Sequence, residues 1–228
     1  MTSARAQILR GVRQALGADP ADSARRAAVD ERLRTHPRGP VPARGDRPPA
    51  GRVDLFHQQA EAAAATVARV PGWDDMPGAV AGYLRDANRP AEVVVAPHPD
   101  LQGLNWAVGA PVLGVTYGAS GADTAVGVSR ALVGVAETGT LMLRSGPDSP
   151  TTLNFLPETH IVAVPASAIV GAYEDAWDML RTEQGDGAVP RSVNLVTGPS
   201  RTADIEQTLQ LGAHGPKNLH IVVVGNGA

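Results

Sequence analysis

Uninterrupted runs of apolar and β-branched residues constrain the fold of this chain more than any other feature of its sequence. Three of them are AEVVVAP (91–97), THIVAVP (159–165) and NLHIVVVG (218–225). A strand with one exposed face alternates apolar and polar residues, whereas a strand covered on both faces is apolar throughout. The runs therefore predict strands at the centre of a sheet that has other layers packed on both sides.

Segments that have apolar residues at helical spacing alternate with these runs. They are 53–70, 76–88, 166–184 and 202–215. Alternating strands and helices are typical of a parallel sheet between two helical layers. The stretch 124–146 holds further apolar runs close together, which predicts an antiparallel pair within the sheet. We expect an α/β protein, three-layer α/β/α with a mixed, mostly parallel central sheet.

The first fifty residues differ from the rest in charge and composition. They contain ten arginines and five acidic residues, although the whole chain has a formal net charge of −3. Residues 3–17 have apolar side chains at helical spacing, and residues 35–51 are rich in proline and arginine, as extended linkers are. We predict two parts: an N-terminal helix with a linker or arm over 1–52, and an α/β domain over 53–228.

Composition excludes several classes of protein and of site. The net charge of −3 gives no reason to expect a nucleic-acid partner, and no run of 18 apolar residues predicts a membrane span. Cysteine is absent, which excludes disulfides, thiolate nucleophiles and cysteine-ligated clusters, and fits a cytoplasmic protein. No two histidines have the i, i+4 spacing of a helical zinc site, so no metal site is predicted.

The octapeptide AETGTLML (136–143) places polar residues between two apolar runs. The residues concerned are Glu137, Thr138, Gly139 and Thr140. One interpretation is a hairpin turn with Glu137 exposed and two ordinary strand hydroxyls. The other is a site at the end of a strand, where the ligands of α/β proteins bind. In such a site Glu137 would act as a general base, as a nucleophile towards an acyl group, or as a hydrogen-bond acceptor.

A second polar stretch, TGPSRTADIE (197–206), predicts a turn followed by the start of a helix. The residues concerned are Gly198, Ser200, Arg201, Thr202, Asp204 and Glu206. Ser200 and Thr202 are candidate N-caps, and acidic residues suit the first turn of a helix. Free amides at the helix start, together with the charge of Arg201, make an anion site. The alternative is structural, with Ser200 capping the helix and Arg201 paired with an acidic neighbour.

A third stretch, LGAHGPKNLH (211–220), has the glycines and the proline that end helices. His214 lies in the predicted turn, and the positive charge of Lys217 suits a helix C-terminus. Capping is the structural interpretation of these two residues, and ligand binding is the functional one.

The residues VAETGTLMLRSGPDSPTTLNFLPETHIVAV (135–164) and TGPSRTADIEQTLQLGAHGPKNLHIVVV (197–224) resemble the lactate-utilisation protein C family, which is built on the LUD domain. The resemblance covers roughly residues 55–226. It implies a fold similar to the NagB/RpiA/CoA-transferase fold, and a role in bacterial oxidation of L-lactate to pyruvate. It also implies that the three polar stretches belong to one ligand site, with Glu137 facing the helix start and Arg201.

The resemblance also implies that, in the lactate-oxidising system of this family, the protein that consists of a LUD domain alone works beside iron–sulfur subunits. This chain has no cysteine, so we expect no cofactor in it and iron–sulfur clusters on partner subunits only. The expected function is that of an accessory, non-redox subunit that binds a small carboxylate or another anion, its iron–sulfur partners, or both. The alternatives are a CoA-transferase-like enzyme with Glu137 as nucleophile or base, and an enzyme that binds a phosphosugar near Ser200.

Overall fold

The structure is a computed structural model that describes residues 3–17, 19, 22–121, 123–185, 188–205, 208–212 and 214–225, with the backbone alone over 202–211. The chain divides into two compact units, Met1–Pro40 and Val41–Ala228. The domain boundary expected after residue 52 stays a prediction.

The first unit is helical. Helix α1 spans Ala4–Ala15 and helix α2 spans Ser23–Thr35. Ser3 caps α1, because its hydroxyl oxygen accepts a hydrogen bond from the backbone N–H of Ala6 at 3.3 Å. The helix predicted within 3–17 is confirmed, whereas α2 has no counterpart among the predicted helices.

The second unit contains the remaining helices and all the strands that the structure describes. Its helices are α3 (Pro49–Ala62), α4 (Met76–Asp86), α5 (Pro99–Gln102), α6 (Trp106–Gly109) and α7 (Tyr173–Gln184). Its strands are β1 (Thr66–Val70), β2 (Glu92–Val95), β3 (Gly114–Tyr117), β4 (Val126–Arg130), β5 (Val133–Val135), β6 (Thr140–Arg144), β7 (Thr159–Pro165), β8 (Ile169–Val170), β9 (Val193–Val196), β10 (Arg201–Ile205), β11 (Thr208–Leu211) and β12 (Asn218–Val224).

Six of these strands form the central sheet, in the order β1-β12-β7-β4-β2-β3, and each neighbouring pair is parallel. Strands β7 and β12 lie next to each other in the middle, paired from Thr159 with Asn218 to Pro165 with Val224. These two strands come from the apolar runs that predicted buried strands. The α/β class is confirmed.

The antiparallel pair predicted within 124–146 lies outside the central sheet, in a second sheet of four strands with the order β8-β5-β6-β9, and β10 and β11 form a separate antiparallel pair. Strand β6 is antiparallel to both β5 and β9, and β8 is parallel to β5. The stretch 124–146 therefore contributes β4 to the central sheet and a hairpin, β5–β6, to the second sheet. Because β5, β8 and β9 run in one direction, their carboxyl ends lie at the same edge of this sheet.

Burial on both faces of the central sheet explains the uninterrupted apolar runs. Ile161 and Ala163 of β7 pack into a core with helix α4, whereas Val162 and Val164 pack into a core with helix α3 and the second sheet. A third core lies between the second sheet and helix α7. The second sheet is therefore sandwiched between the central sheet and α7.

Two predicted helices are shorter than expected. The segment 53–70 changes from helix to strand after α3, where Ala64 has a φ of +66° and the β-branched run TVARV (66–70) begins. The segment 166–184 is helical only from Tyr173, because Ile169 and Val170 pair with β5 as β8. Asp175 then caps the helix by accepting the Ala172 N–H at 3.2 Å.

Candidate functional site

The residues AETG (136–139), here called the AETG turn, connect β5 to β6 as a hairpin turn. The turn is buried, and Glu137 is only 3% exposed, so the interpretation with an exposed Glu137 is wrong. Gly139 has a φ of +66°, and a Cβ at this position would collide with the backbone nitrogen of Ala60 in the last turn of α3. Only glycine permits both this φ and this close approach.

The Glu137 carboxylate is held by groups from two other segments. The backbone N–H of Tyr173 donates to Oε1 at 3.3 Å, and Nε of Arg44 lies 3.8 Å from Oε2. Oε2 is buried and accepts no hydrogen bond from the residues that the structure describes. Arg44 reaches this point because Gly45 packs backbone to backbone against Gly171. Among the described residues, the cation beside Glu137 is therefore Arg44, and the helix start that the carboxylate meets is that of α7 at Tyr173. The structure shows no contact of Glu137 with Arg201 or with the helix start predicted near Ser200 in the part of the chain that it describes.

Four hydroxyl groups meet at the edge where β5, β8 and β9 end, and we call them the hydroxyl cluster. They belong to Thr138, Thr140, Tyr173 and Thr197. Thr140 lies at the centre, with its Oγ1 2.7 Å from Thr138 Oγ1, 2.8 Å from Tyr173 Oη and 2.6 Å from Thr197 Oγ1. Thr140 is fully buried, so its hydroxyl is satisfied by these three neighbours in place of water.

The second polar stretch follows β9 at the same edge. Gly198 has a φ of +69°, and a Cβ there would collide with the carbonyl oxygen of Ala63, just beyond α3. Gly139 and Gly198 thus both pack against the end of helix α3. This arrangement brings the AETG turn and the second stretch together, as the resemblance implied.

The helix predicted over 202–215 is wrong, because β10 and β11 form an antiparallel hairpin there. Apolar residues at 203, 205, 209 and 211 recur at a spacing of two, which is a strand pattern. The backbone of Ser200 fastens the hairpin, since its N–H donates to the Pro216 carbonyl at 2.8 Å and its carbonyl accepts from Gly212 N–H at 3.0 Å. The predicted anion site at a helix N-terminus is therefore wrong as well.

The hairpin places the remaining predicted site residues as follows. Arg201 is exposed at the start of β10, while Thr202 and Asp204 lie in β10 and Glu206 lies outside the described residues. His214 is exposed, and its backbone N–H donates to Ser200 Oγ at 3.3 Å. The side chain of Lys217 packs against Gly212, and its Nζ lies 3.7 Å from Oε2 of Glu158. With no helix before them, His214 and Lys217 have no helix C-terminus to cap.

A cavity of about 230 Å³ lies beside the hairpin. Residues 197–200 form one wall and residues 214–216 another, so the second and third polar stretches both line it. Apolar side chains, including Phe155 and Leu219, complete the lining. His160 and Leu219 stand near the first residues of β7 and β12, so the cavity opens at the amino edge of the central sheet. Glu137 is not among the described residues that line it.

Two buried polar side chains, Asn154 and His160, also line this cavity and are here called the polar floor. Asn154 is 2% exposed and His160 is fully buried. Neither polar atom of the Asn154 amide has a hydrogen-bond partner among the described residues, and the same holds for His160 Nδ1. His160 Nε2 lies 2.7 Å from Ser129 Oγ. Burial lowers the pKa of His160 to about 3, so its ring is neutral at pH 7.

Several of these residues have no signal in the sequence. Asn154 and His160 are single polar residues beside apolar ones, where a residue at a cavity and a satisfied core residue look alike in the sequence. Arg44 belongs to a proline-rich stretch that resembles a linker. Thr197 is the first residue of the second polar stretch, and only this position pointed towards it.

The family model described as LUD domain matches residues 53–224. The chain belongs to the LUD domain family. The matched range includes both sheets, the hydroxyl cluster and the cavity. The family resemblance stated from the sequence is thereby confirmed.

Similar proteins match part of this LUD-domain chain. An uncharacterized protein of Neisseria meningitidis serogroup B is 40% identical over 98 residues, which cover 43% of this chain and 41% of the relative. Lactate utilization protein C of Bacillus subtilis is 38% identical over 102 residues, which cover 44% of this chain and 42% of the relative. The chain thus spans about two fifths of the length of these relatives.

A solved structure shares the fold. The crystal structure of a duf162 family protein from Deinococcus radiodurans matches with a TM-score of 0.57 at 24% identity, over 78% of this chain and 99% of that one. Within the described part of the LUD-domain chain, no group of three or more His, Asp or Glu residues is arranged to hold a metal ion. None of the described helices is both long and apolar enough to cross a membrane.

Proposed function

We propose that this LUD-domain chain serves bacterial lactate utilisation as a non-redox subunit that binds a small carboxylate in the cavity beside the hairpin. Membership of the LUD family and similarity to proteins named lactate utilization protein C support the pathway. These relatives are matched over about two fifths of their length, so the pathway is an inference from a shared segment.

The cavity is the observation that carries the ligand-binding part of the proposal. Two of the three polar stretches line it, together with Asn154 and the neutral ring of His160. A volume of about 230 Å³ lies below the range of about 300–1,000 Å³ typical of pockets for drug-sized ligands. The size therefore favours a small metabolite over a nucleotide or a cofactor.

The absence of cysteine supports the non-redox part. A chain without thiolates cannot ligate a cysteine-bound iron–sulfur cluster, so electrons from lactate would pass through partner subunits that carry such clusters. The family resemblance implies partners of this kind.

Two measurements on the full chain test this function. Calorimetric titration with L-lactate and with pyruvate should show binding of at least one acid, while a dye-reduction assay with L-lactate should show no turnover. The blocking variant is Gly215→Val, because a Cβ at Gly215 meets only ordinary contacts with Ser200 and Phe155. It should reduce affinity at least tenfold, whereas Gly121→Ala, which meets no atom within 4 Å, should not. Lactate turnover by the isolated chain, or binding unaffected by Gly215→Val, would contradict the proposal.

The alternative with Glu137 as acyl nucleophile receives less support. The carboxylate is 3% exposed, is held by Tyr173 N–H and Arg44, and does not line the cavity. A nucleophile must reach a reacting carbon, and these contacts favour a holding role for Glu137. Incubation with acyl-CoA donors followed by hydroxylamine trapping tests this directly, since a mass adduct on Glu137 would establish the alternative.

A further inference from the structure

We propose that the carboxyl edge of the central sheet carries a second ligand site, in which Arg130 binds the carboxylate of a monoanion that has an apolar body. This site lies apart from the cavity beside the hairpin, and it does not depend on the proposed function. Its residues were not among the site residues expected from the sequence.

The topology of the central sheet creates a crevice where β2 and β4 end. These two strands are parallel neighbours. Along the chain, the next strand of this sheet after β2 is β3, on one side, whereas the next after β4 is β7, on the other side. Open α/β sheets bind ligands outside the carboxyl ends of their strands at such a switch point. Arg130 ends β4 at this crevice, and Asp100 follows β2.

Arg130 is held in place there but leaves hydrogen-bond donors unused. Its side chain is 19% exposed, and its Nε lies 3.2 Å from Oδ2 of Asp100. Nε is enclosed, whereas the two terminal nitrogens keep accessible surface, and none of the three makes a hydrogen bond to the described residues. The planar fork of a guanidinium matches the two oxygens of a carboxylate, so the unpaired edge of Arg130 can bind one in bidentate fashion.

Arg144, at the end of β6, shows the opposite arrangement. Its side chain is shielded to the same extent, with 18% exposed. Its two terminal nitrogens donate to the Asp148 carboxylate at 2.9 and 3.0 Å, and its Nε donates to Glu183 at 3.1 Å. The donors of Arg144 are therefore used within the protein, while the terminal donors of Arg130 are available to a ligand.

A groove of about 580 Å³ begins at Arg130. Leu132, which follows β4, forms one wall together with Pro165 and Ala168 at and beyond the end of β7, while Met179 belongs to the opposite wall, on α7. A mostly apolar lining with a few polar groups that fix orientation is typical of sites for organic ligands, whose volumes are about 300–1,000 Å³. The groove therefore suits a ligand with a body of several carbon atoms.

Acidic residues on α7 limit the charge of the ligand. Asp178 and Glu183 line the groove, and they form ion pairs with Arg181 and Arg144 respectively. Arg130 is the cationic residue among the described residues of the lining. Because two carboxylates stand on the opposite wall, a second negative charge on the ligand would be repelled. A monocarboxylate suits this balance better than a phosphate dianion or a nucleotide does.

Titration of the full chain with hexanoate at pH 7, followed by calorimetry and by ¹H–¹⁵N NMR, tests the site. Hexanoate should shift the backbone amides of Leu132, Ala168 and Met179. It should bind at least about tenfold more tightly than acetate, which lacks the apolar body, and more tightly than hexyl phosphate, which carries more negative charge. Arg130→Gln should reduce hexanoate affinity at least about tenfold. Arg85→Gln, which removes an exposed cation outside the groove, should not.

Thr182→Trp is a second variant, and it replaces Arg130→Gln if that variant does not fold. Thr182 is exposed on α7 and lines the groove, so a larger side chain there should obstruct the groove and weaken hexanoate binding without disturbing the core. Acetate or hexyl phosphate bound as tightly as hexanoate would overturn the ligand class. Unchanged hexanoate affinity in either folded variant would overturn the site. The same holds for shifts confined to Gly198 and Gly215 in the other cavity, and for no saturable binding at millimolar hexanoate.

Discussion

Thr140 Oγ1 lies 2.6 Å from Thr197 Oγ1, and this contact joins the AETG turn to the wall of the cavity. Thr197 is the first residue of that wall, and Thr140 begins β6 directly after the turn. The AETG turn therefore packs behind the cavity wall formed by residues 197–200 and does not line the cavity itself. Glu137 belongs to this support, together with Arg44 and the Tyr173 N–H.

Removing the hydroxyl of Thr140 should destabilise the fold, and its effect should depend on whether the hydroxyl of Thr197 is present. Thr140→Val removes the buried hydroxyl that Thr138, Tyr173 and Thr197 contact, and we expect a cost of about 0.5–1.5 kcal/mol in the free energy of unfolding. Urea denaturation of Thr140→Val, Thr197→Val and the double variant should give a coupling of about 0.5–3 kcal/mol. Additive losses would contradict the contact, and Thr182→Val, which is exposed and outside the cluster, is the control.

Alanine at Gly139 or Gly198 should be severely destabilising. Each position combines a φ near +70° with a backbone atom of the α3 end where the Cβ would lie. Backbone strain of about 1–3 kcal/mol and overpacking of about 1–3 kcal/mol together predict a loss of about 2–6 kcal/mol. Thermal and urea unfolding measure this loss, with Gly121→Ala as the unstrained control. A loss comparable to that control would show that the α3 end does not constrain the two turns.

Glutamine should replace Glu137 without loss of ligand binding. Its amide oxygen can still accept the Tyr173 N–H that Glu137 Oε1 accepts at 3.3 Å. Glu137→Leu leaves that N–H unpaired and should be less stable than Glu137→Gln by about 1–3 kcal/mol. Urea denaturation gives the stability of both variants, and calorimetric titration gives their affinity for L-lactate. Lost binding in a Glu137→Gln variant of unchanged stability would indicate direct ligand contact and would contradict a holding role.

His220 should make stability fall in mild acid. Burial lowers its pKa from 6.5 to about 4, while Nδ1 lies 2.8 Å from Thr66 Oγ1 and the ring stacks on Tyr83 at 3.9 Å. As the pH falls from 6.5 towards 4, His220 binds a proton in the unfolded chain but stays neutral in the native chain. This single group therefore costs about 2 kcal/mol of stability between pH 7 and pH 5.

His220→Phe keeps an aromatic ring beside Tyr83 and removes the titrating group. Urea denaturation at pH 7 and pH 5 should show a pH-dependent loss about 2 kcal/mol smaller in this variant than in the wild type. The pKa values of His98 and His160 are also lowered, so these residues add to the loss of stability in acid. Their contributions are the same in the wild type and the variant and cancel when the two losses are subtracted. An unchanged pH dependence would contradict the burial of His220 as its cause.

The parallel sheet was predictable because its signal is local. Strand β7 occupies 159–165, where the apolar run predicted it, since burial on both faces leaves a pattern in consecutive residues. The hairpin β10–β11 was missed because Ser200 and the acidic residues after it resemble a helix start, while alternation at spacing two was overlooked. Helix-start residues and strand alternation both occur in this segment, and its packing in the folded protein determines which of the two structures forms.

The site was less predictable because its contacts join distant segments. Arg44 meets Glu137 only through the backbone contact of Gly45 with Gly171, which no local pattern encodes. Asn154 and His160 lie at a cavity whose lining comes from segments that are distant in the sequence, before β7, at the end of β9 and on either side of the hairpin. Gly139, Gly198 and Thr140, which the sequence suggested as ligand-binding residues, hold distant segments together in the structure, and their ligand-binding role stays a prediction.

Two-dimensional ¹H–¹⁵N NMR of the full chain during titration with L-lactate tests the central claim most directly. We predict saturable shifts of the backbone amides of Gly198, Ser200 and Gly215 and of the Asn154 side-chain amide, with Arg44 and Glu137 nearly unchanged. Shifts confined to another part of the chain, for instance around His98 and Arg130 at the carboxyl edge of the central sheet, or no shifts at millimolar lactate, would contradict the cavity as the ligand site.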